Sequence, residues 1–236
     1  MSHSTEKLLT IITVVYNGEK LLEKTIQSVL AQPYENIQYI IIDGGSKDKT
    51  VDIIKKYDAE IDYWVSEPDG GIYDAMNKGI DLAKGDGLFF LNAGDYFVGD
   101  VITDSLKIPS FLPVKSINSR GKLTDMAITD IKLGLPICHQ GIIFENRGIH
   151  YDLEYKMSAD YDYYLNHGYK YLDFTPTDGY VFYDTTGVSS TNIKARLYDV
   201  GKIIHKHFGI FAMTNYAIRA IVINVLLVIY RSILRR

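Results

Sequence analysis

The chain has 236 residues, of which 47% are hydrophobic and 23% are charged, a composition that suits a globular protein with a sizeable buried core. Its formal net charge of -4 argues against a nucleic-acid partner held by general electrostatics. Cys138 is the only cysteine, which excludes an internal disulfide and favours a reducing compartment. Residues 1–7 are polar and show no basic-then-apolar signal peptide, so we expect a cytoplasmic protein.

The first hundred residues alternate between two patterns of apolar residues. Short runs rich in β-branched residues predict buried strands at 8–16, 37–42, 61–65 and 87–91. Between these runs, apolar residues recur at helical spacing and predict helices at 21–30, 51–57 and 72–83. Such alternation is typical of an α/β fold in which a mostly parallel central sheet is flanked by helices.

Polar and acidic residues stand where these predicted strands end. They are found at 16–17, 43, 67–69 and 92–95. In parallel sheets, ligands bind outside the carboxyl ends of the strands. The sequence therefore predicts a binding site at this edge of the sheet.

The second half of the chain is less regular. Residues 98–132 contain several proline, glycine, serine and asparagine residues, which predict loops around short strands. A helix is predicted at 161–167, with Gly168 as its end. Further strands are predicted at 141–144, 169–174 and 180–183.

The last part of the chain, from 191 to 236, is basic and ends in apolar sequence. A membrane-spanning helix needs roughly 20 apolar residues, and the apolar run at 220–230 is shorter and contains Asn224. We therefore predict a basic amphipathic helix that lies in the membrane interface and associates with the inner face of the cell membrane. A helix that packs on the core or mediates homo-oligomer formation is the alternative.

Three segments carry a resemblance to a known family. Residues 14–17 match a Pro-x-Tyr-Asn motif with Val14 in the proline position, and residues 42–46 match Val-Asp-Asp-Gly-Ser with Gly44 in place of the second aspartate. Residues 91–95 stand where that family has an Asp-x-Asp-type metal motif. The chain thus resembles the family-2 glycosyltransferases, inverting enzymes with the Rossmann-like GT-A fold.

Further segments carry a narrower resemblance, to one branch of this family. All the motifs together cover about residues 8–185. The narrower resemblance links the chain to the colanic-acid and exopolysaccharide branch through 66–79, 136–140 and 158–162. The resemblance implies a catalytic domain at 1–190, in which 1–97 bind the nucleotide sugar and 98–190 the acceptor. The segment 191–236 is then a helical membrane-associating tail.

The resemblance implies a nucleotide-sugar donor, expected to be UDP-linked. Asp43 ends the second strand, where its carboxylate can accept a hydrogen bond from the N–H of a uracil-like base; alternatively it caps the turn. Lys78 can reach a phosphate or remain a solvated helix charge. The residues expected to bind the donor are Val14, Tyr16, Asn17, Asp43, Asp69, Lys78 and Asn92.

Asp95 is the predicted ligand of a divalent cation, Mn²⁺ or Mg²⁺. Such a cation neutralises charge on the departing nucleoside diphosphate, and one or two carboxylates with the diphosphate oxygens can hold it. Asn92 and Gly94 remove two carboxylates that many relatives have, although Asn92 can still hydrogen-bond a ribose hydroxyl. A turn rich in asparagine, glycine and aspartate is the alternative.

Asp160 is the predicted general base, because inversion needs a carboxylate that accepts the proton of the acceptor hydroxyl. It occupies the aspartate position of the family's Glu-Asp pair, with Ala159 in the glutamate position. Asp162 is the rival, either at the acceptor or as a first-turn helix acid. His139 and Gln140 are expected to face the acceptor or the donor sugar, or to be structural.

The resulting hypothesis is an inverting transfer of a sugar onto a lipid-linked glycan acceptor in bacterial surface polysaccharide synthesis. A sugar nucleotidyltransferase is an alternative, although the glycine- and arginine-rich phosphate loop expected after its first strand is missing. A non-catalytic scaffold of the same fold is another. No Gly-x-Gly-x-x-Gly follows the first strand, which argues against a dinucleotide-dependent dehydrogenase.

Overall fold

A computed structural model describes residues 7–117, 121–126, 131, 138–169, 172–185 and 192–218. Its strands are β1 (Leu9–Val15), β2 (Ile37–Asp43), β3 (Tyr63–Ser66), β4 (Gly87–Phe90), β5 (Tyr96–Val98), β6 (Ser110–Phe111), β7 (Val114–Ile117), β8 (Leu123–Asp125), β9 (Ile142–Glu145), β10 (Asp173–Phe174) and β11 (Tyr180–Tyr183). Its helices are α1 (Leu22–Leu30), α2 (Thr50–Lys56), α3 (Ile72–Leu82), α4 (Ala159–His167) and α5 (Ile193–Phe208). Residues 210–218 are also helical.

The strands form a seven-stranded sheet in the order β10-β6-β9-β4-β1-β2-β3 and a four-stranded sheet in the order β5-β11-β7-β8. In the larger sheet β1 pairs in parallel with both β2 and β4, and β2 pairs in parallel with β3. β9 is antiparallel to β4 and β6. The predicted α/β fold with a mostly parallel central sheet flanked by helices is confirmed.

Both faces of the central sheet are buried, because the side chains of each strand alternate between two apolar clusters. Ile11 of β1 packs in the cluster that contains the apolar residues of α1. Its neighbour Ile12 packs in the other cluster, with residues of α3, α4 and α5. The continuous apolar runs noted in the sequence therefore correspond to strands covered by helices on both sides.

α5 packs against α4, although the sequence places it in a separate tail. Val200, Ile203 and Ile204 are buried in the same cluster as α4. Asp162 of α4 is fully buried and accepts hydrogen bonds from Lys206 at 3.0 Å and His207 at 2.7 Å. This part of the predicted tail thus belongs to the packed core.

Several boundaries differ from the predicted ones. α4 begins at Ala159 rather than at residue 161, so that Asp160 lies in its first turn. Of the strand predicted at 169–174, the described residues contain only β10. The apolar run at 220–230 lies outside the described residues. Within the described ranges, no helix combines the length and the apolar character needed to cross a membrane.

Candidate functional site

The carboxyl ends of β1, β2 and β3 lie side by side. Val15 pairs with Asp43, and Asp43 pairs with Ser66, so the residues that follow these three positions leave the sheet at one edge. β4 flanks β1 on the other side, and the backbone N–H of Ala93 donates to the carbonyl of Val14. The structure therefore brings together the strand ends that the sequence singled out.

The turn after β1 is fixed by hydrogen bonds to the turn after β2. Asn17 has a φ of 50°, in the left-handed region that asparagine tolerates better than most residues. Its side-chain oxygen accepts from the N–H of Lys47, and its own N–H donates to Ser46. Asn17 thus braces the turn, whereas the side chain of Tyr16 is 64% exposed at the edge.

Val14 and Asp43 were expected to bind the donor, but the structure places both side chains inside the protein. Val14 packs in the core. Asp43 is fully buried, and its carboxylate accepts hydrogen bonds from the N–H and hydroxyl of Ser46 and from the hydroxyl of Ser66. The geometry favours the alternative role of Asp43, because these three donors make it the cap of the turn.

Asp69 and Lys78 lie around the loop between β3 and α3. The Oδ1 atom of Asp69 accepts from the N–H of Gly71 at 2.8 Å. The Nζ atom of Lys78 lies 2.7 Å from a carboxylate oxygen of Glu67, and this pairing raises the pKa of the lysine. It also donates to the carbonyl of Pro68. Lys78 therefore holds the loop that carries Asp69.

Asp95 is buried close to a second carboxylate that sequence reasoning missed. Burial raises the pKa of Asp95 to about 8, and the negative charge of Asp184 adds to this increase. The N–H of Asp184 donates to Oδ1 of Asp95 at 2.8 Å. Nearby in the sequence, the side-chain oxygen of Asn92 is buried and has no hydrogen-bond partner among the described residues. Such an unsatisfied acceptor is unusual in a native protein, and a bound water or ligand would satisfy it.

Asp160 is half-buried in the first turn of α4. Burial raises the pKa of its carboxyl group to about 6. Its Oδ1 atom accepts from the N–H of Tyr161 at 3.0 Å and from the hydroxyl of Tyr73 at 3.4 Å. A carboxylate with this pKa is largely ionised at neutral pH and is still basic enough to accept a proton.

A column of aromatic rings stands behind Asp160. The rings of Tyr73 and Tyr151 are stacked with their centroids 5.4 Å apart, and Tyr151 stacks on Tyr163 at 4.1 Å. His139 is buried, and its Nε2 atom lies 2.6 Å from the hydroxyl of Tyr151. Burial lowers the pKa of His139 to about 3, so the imidazole is neutral. His139 therefore supports the column and does not face a sugar directly.

Cys138 is influenced by two predicted site carboxylates, the metal ligand Asp95 and the general base Asp160. Burial raises the pKa of its thiol to about 12, and the charges of Asp95 and Asp160 both add to the increase. The thiol donates to the side-chain oxygen of Gln140 at 3.2 Å. The charges of Asp95 and Asp160, which are distant in the sequence, thus both act on Cys138, and Gln140 is its hydrogen-bond partner.

Asp162 is not part of this group. Its two carboxylate oxygens are engaged by Lys206, His207 and the amide of Asn166. The prediction that Asp162 contacts an acceptor is therefore not supported, because a fully buried carboxylate with three donors has no face toward a ligand. Its position anchors α5 to α4.

Sequence reasoning missed two residues of this region, Tyr73 and Asp184. Tyr73 stands in the quoted segment 66–79, but nothing in that segment indicates a contact with α4. Asp184 follows a short strand and belongs to no recognised motif. Both are brought to the site by contacts between segments that are far apart in the sequence, and no local pattern encodes them.

The chain is similar to known glycosyltransferases in sequence. The family model for glycosyl transferase family 2 matches residues 10–107. An uncharacterized glycosyltransferase of Mycobacterium tuberculosis (strain CDC 1551) is 33% identical over 201 residues, which cover 77% of each chain. A PGL/p-HBAD biosynthesis glycosyltransferase of Mycobacterium bovis (strain BCG) is 30% identical over 177 residues, covering 66% of this chain and 68% of the relative.

Solved structures share the fold at low sequence identity. Staphylococcus aureus TarS has a TM-score of 0.62 and 16% identity over 85% of this chain, which spans only 40% of the TarS chain. TarS 1-349 in complex with UDP has a TM-score of 0.61, and this chain covers 66% of it with 17% identity. The mannosyltransferase PcManGT of Pyrobaculum calidifontis, in complex with GDP-Man and Mn²⁺, also has a TM-score of 0.61, with 15% identity over 86% of this chain and 64% of that one.

The raised pKa of Cys138 gives a direct test of this region. At pH 8 a thiol with a pKa near 12 is almost entirely protonated. Because the thiolate is the reactive form, we expect alkylation of Cys138 in the folded protein to be at least about 100-fold slower than in protein unfolded in urea. Because the chain has one cysteine, labelling by iodoacetamide followed by mass spectrometry reads this site alone. Equal rates in the folded and unfolded protein would contradict a protonated, partly buried thiol.

Proposed function

Because this chain belongs to glycosyltransferase family 2, we propose that it transfers a sugar, with inversion, from a UDP-linked donor to a lipid-linked glycan. The observation that carries the proposal is that Asp95 follows the carboxyl end of β4, while Asp160 is hydrogen-bonded to Tyr73 at the start of α3, just after the carboxyl end of β3. Asp95 would hold a cation at the departing diphosphate, and Asp160 would accept the proton of the attacking hydroxyl. Membership of the family disfavours the sugar nucleotidyltransferase alternative.

Asp160 acts as the general base. It accepts the proton of the acceptor hydroxyl while the oxygen attacks the anomeric carbon, and the bond from that carbon to the diphosphate breaks on the opposite side. Tyr73 and the N–H of Tyr161 both donate to Oδ1 and so orient the carboxylate, with Oδ2 as the atom that takes the proton. The buried surroundings keep the carboxylate basic at neutral pH.

The residues around Asp95 fit a divalent cation, Mn²⁺ or Mg²⁺. Carboxylate and amide oxygens are the ligands that such hard cations prefer, and Mg²⁺ typically uses one or two carboxylates together with phosphate oxygens. Asp95 and Asp184 supply two carboxylates, and the unsatisfied oxygen of Asn92 supplies a further acceptor for the cation's water shell or for the ribose. When bound, the cation neutralises the charge on the departing diphosphate.

This small ligand set suits a cation that binds together with the donor. Within the described ranges, no three histidine, cysteine, aspartate or glutamate side chains converge on a point that could hold a metal. Asp95 is costly to ionise in its buried position, and a bound cation would stabilise its charged form. Donor and cation are therefore expected to bind cooperatively.

The donor and acceptor are inferred from relatives and from the tail. The TarS structure with UDP and the PcManGT complex with Mn²⁺ support a nucleotide-sugar donor and a divalent cation. The name of the mycobacterial relative refers to PGL/p-HBAD biosynthesis and supports a biosynthetic role for the transfer. The motifs at 66–79 favour the colanic-acid and exopolysaccharide branch within that class.

We further propose that residues 1–190 form the catalytic domain, with a donor half at 1–97 and an acceptor half at 98–190, and that the tail at 191–236, whose helix α5 packs on this domain, brings it to the inner face of the cell membrane. In the segment 210–218, Ala212, Met213 and Tyr216 pack toward the core, whereas Phe211 is 85% exposed and Ile218 is 54% exposed. The segment 210–218 thus exposes apolar side chains, and the sequence that follows it contains apolar and basic residues. This combination is typical of a helix that lies in the membrane interface.

Asp160→Asn tests the general base. We expect transfer to fall at least about 100-fold with UDP binding unchanged, because the amide cannot accept the proton. For the unsubstituted protein, log rate should decrease as pH falls below about 6, since protonation then removes the base. UDP release from UDP-hexoses in the presence of a bacterial lipid extract measures the rate.

Asp104→Asn is the matched control for this substitution, because Asp104 is exposed and lies outside the site. It should retain full turnover. Unchanged turnover of Asp160→Asn would exclude Asp160 as the base, and a rate independent of pH between 5 and 7 would contradict the pKa argument.

Asp95→Asn tests the cation site with a side chain of the same shape that can still accept from the N–H of Asp184. We expect Mn²⁺ to strengthen UDP binding to the unsubstituted protein by about tenfold or more, and this gain to vanish in the variant. Isothermal titration with and without Mn²⁺ gives both affinities. If the variant kept the full gain, the cation would have to bind elsewhere.

The combined substitution of Phe211→Ser and Ile218→Ser tests the tail. Because the apolar face contributes to interfacial binding, we expect less cosedimentation with vesicles that contain phosphatidylglycerol, and binding of the unsubstituted protein should weaken at high salt. Leu123→Ser, at an exposed leucine on β8, should leave cosedimentation unchanged. Equal sedimentation of all three proteins would remove the membrane role from this face.

A further inference from the structure

We propose that Asp69, rather than Asp43, is the carboxylate that recognises the nucleobase, and that Gly44 is present to make room for it. The base would be uracil or another base with a ring N–H at the same position. This inference rests on the proposed function, because it assigns the specificity of the same donor site. Four observations carry it.

The first observation is the space around Gly44. A Cβ atom built on Gly44 would lie 2.5 Å from Oδ2 of Asp69, and its three nearest neighbours are all atoms of the Asp69 carboxylate. Real Cβ atoms do not approach so closely. The carboxylate of Asp69 therefore occupies the space that a side chain at position 44 would need.

The second observation is the backbone conformation at position 44. Gly45 has a φ of +80°, which favours glycine, whereas Gly44 does not fall in this left-handed region. The backbone conformation of Gly44 is thus open to residues with a side chain, other than proline, which could not donate the hydrogen bond to the carbonyl of Val15. The approach of Asp69 accounts for glycine at this position, and the turn itself does not.

The third observation concerns Asp43, the carboxylate that the sequence favoured for the base. It is fully buried and already accepts from Ser46 and Ser66. In the motif that this chain resembles, a second carboxylate stands at position 44, and here that position holds glycine. Asp69 places a carboxylate at the same point from a neighbouring loop.

The fourth observation is that Asp69 is held in place with one oxygen available. Oδ1 accepts from the N–H of Gly71, while Oδ2 has no hydrogen-bond partner in the described part of the chain. The contacts of Lys78 with Glu67 and Pro68 fix the preceding residues. Tyr16, which follows β1 beside the end of β2, exposes a ring at the same edge that can stack on a base.

These positions select among bases by hydrogen bonding. The N3 atom of uracil carries a hydrogen and donates to a carboxylate, whereas N3 of cytosine is an acceptor and would be repelled by it. Leaving a charged group unpaired in a half-buried position is costly. Asp69 should therefore favour UDP over CDP.

The experiment is a set of substitutions that moves the carboxylate between the two positions. We would measure the binding of UDP and CDP by isothermal titration for Asp69→Ala, Asp69→Asn, Gly44→Asp and the double variant Gly44→Asp/Asp69→Ala. Asp52→Asn, at an exposed residue on α2, is the control for the change in charge. Thermal unfolding of each variant verifies that it is folded.

We expect Asp69→Ala to weaken UDP binding by about tenfold or more. Gly44→Asp alone should also weaken it, because the new side chain collides with Asp69, and the double variant should recover part of the loss, since the collision is relieved and a carboxylate is restored. Asp69→Asn should reduce the preference for UDP over CDP, because an amide can donate to cytosine. Asp52→Asn should bind both nucleotides as the unsubstituted protein does.

Two results would overturn the inference while leaving the proposed function intact. One is UDP binding by Asp69→Ala and Asp69→Asn that equals that of the unsubstituted protein. The other is a weakened Asp69→Ala variant whose preference between UDP and CDP is unchanged, which would make Asp69 a structural support of the loop. Failure of the unsubstituted protein to bind any nucleotide would instead overturn the proposed function and the inference together.

Discussion

The parallel pairing of β1 with β2 and β4 determines where the functional residues stand. Because these strands run in the same direction, their carboxyl ends meet at one edge, and the turns that follow are held there by backbone hydrogen bonds such as that from Gly44 to the carbonyl of Val15. The strands are buried on both faces, so their register is fixed by two apolar clusters. The positions of the residues at this edge are therefore determined by the two apolar clusters that pack on the faces of the sheet.

Burial then gives the carboxylates at or near this edge different properties. Asp43 is fully buried but surrounded by donors, and it stabilises a turn. Burial raises the pKa of Asp95 to about 8, and the neighbouring carboxylate of Asp184 adds to the increase, so a ligand of positive charge would stabilise its ionised form. Asp160 is half-buried with a neutral tyrosine as its partner, and its pKa of about 6 suits proton transfer. The same residue type is thus suited to three different roles because its surroundings differ.

The sequence predicted the fold well, because apolar periodicity records which faces of a strand or helix are covered. β1, β2, α3 and β4 were all predicted within two residues of their bounds. It also predicted the edge at which polar residues gather. It could not say which carboxylates remain available, since that depends on donors such as Ser66 and Lys206, which come from other segments. The contact of Tyr73 with Asp160 joins α3 to α4 and has no counterpart in local sequence.

Where this chain departs from a family motif, the side chains around the changed position can explain the residue that is found there. Two positions of the motifs that this chain resembles hold glycine in place of a carboxylate, and an aspartate side chain lies near each of them. At Gly44 the backbone would accept a side chain, but the carboxylate of Asp69 occupies the space that it would need. At Gly94 a φ of +107° requires glycine in any case, and Oδ2 of Asp184 lies 3.5 Å from the Cβ position. Position 44 is therefore the clearer case of a carboxylate supplied from another loop, since steric space rather than backbone conformation explains the glycine there.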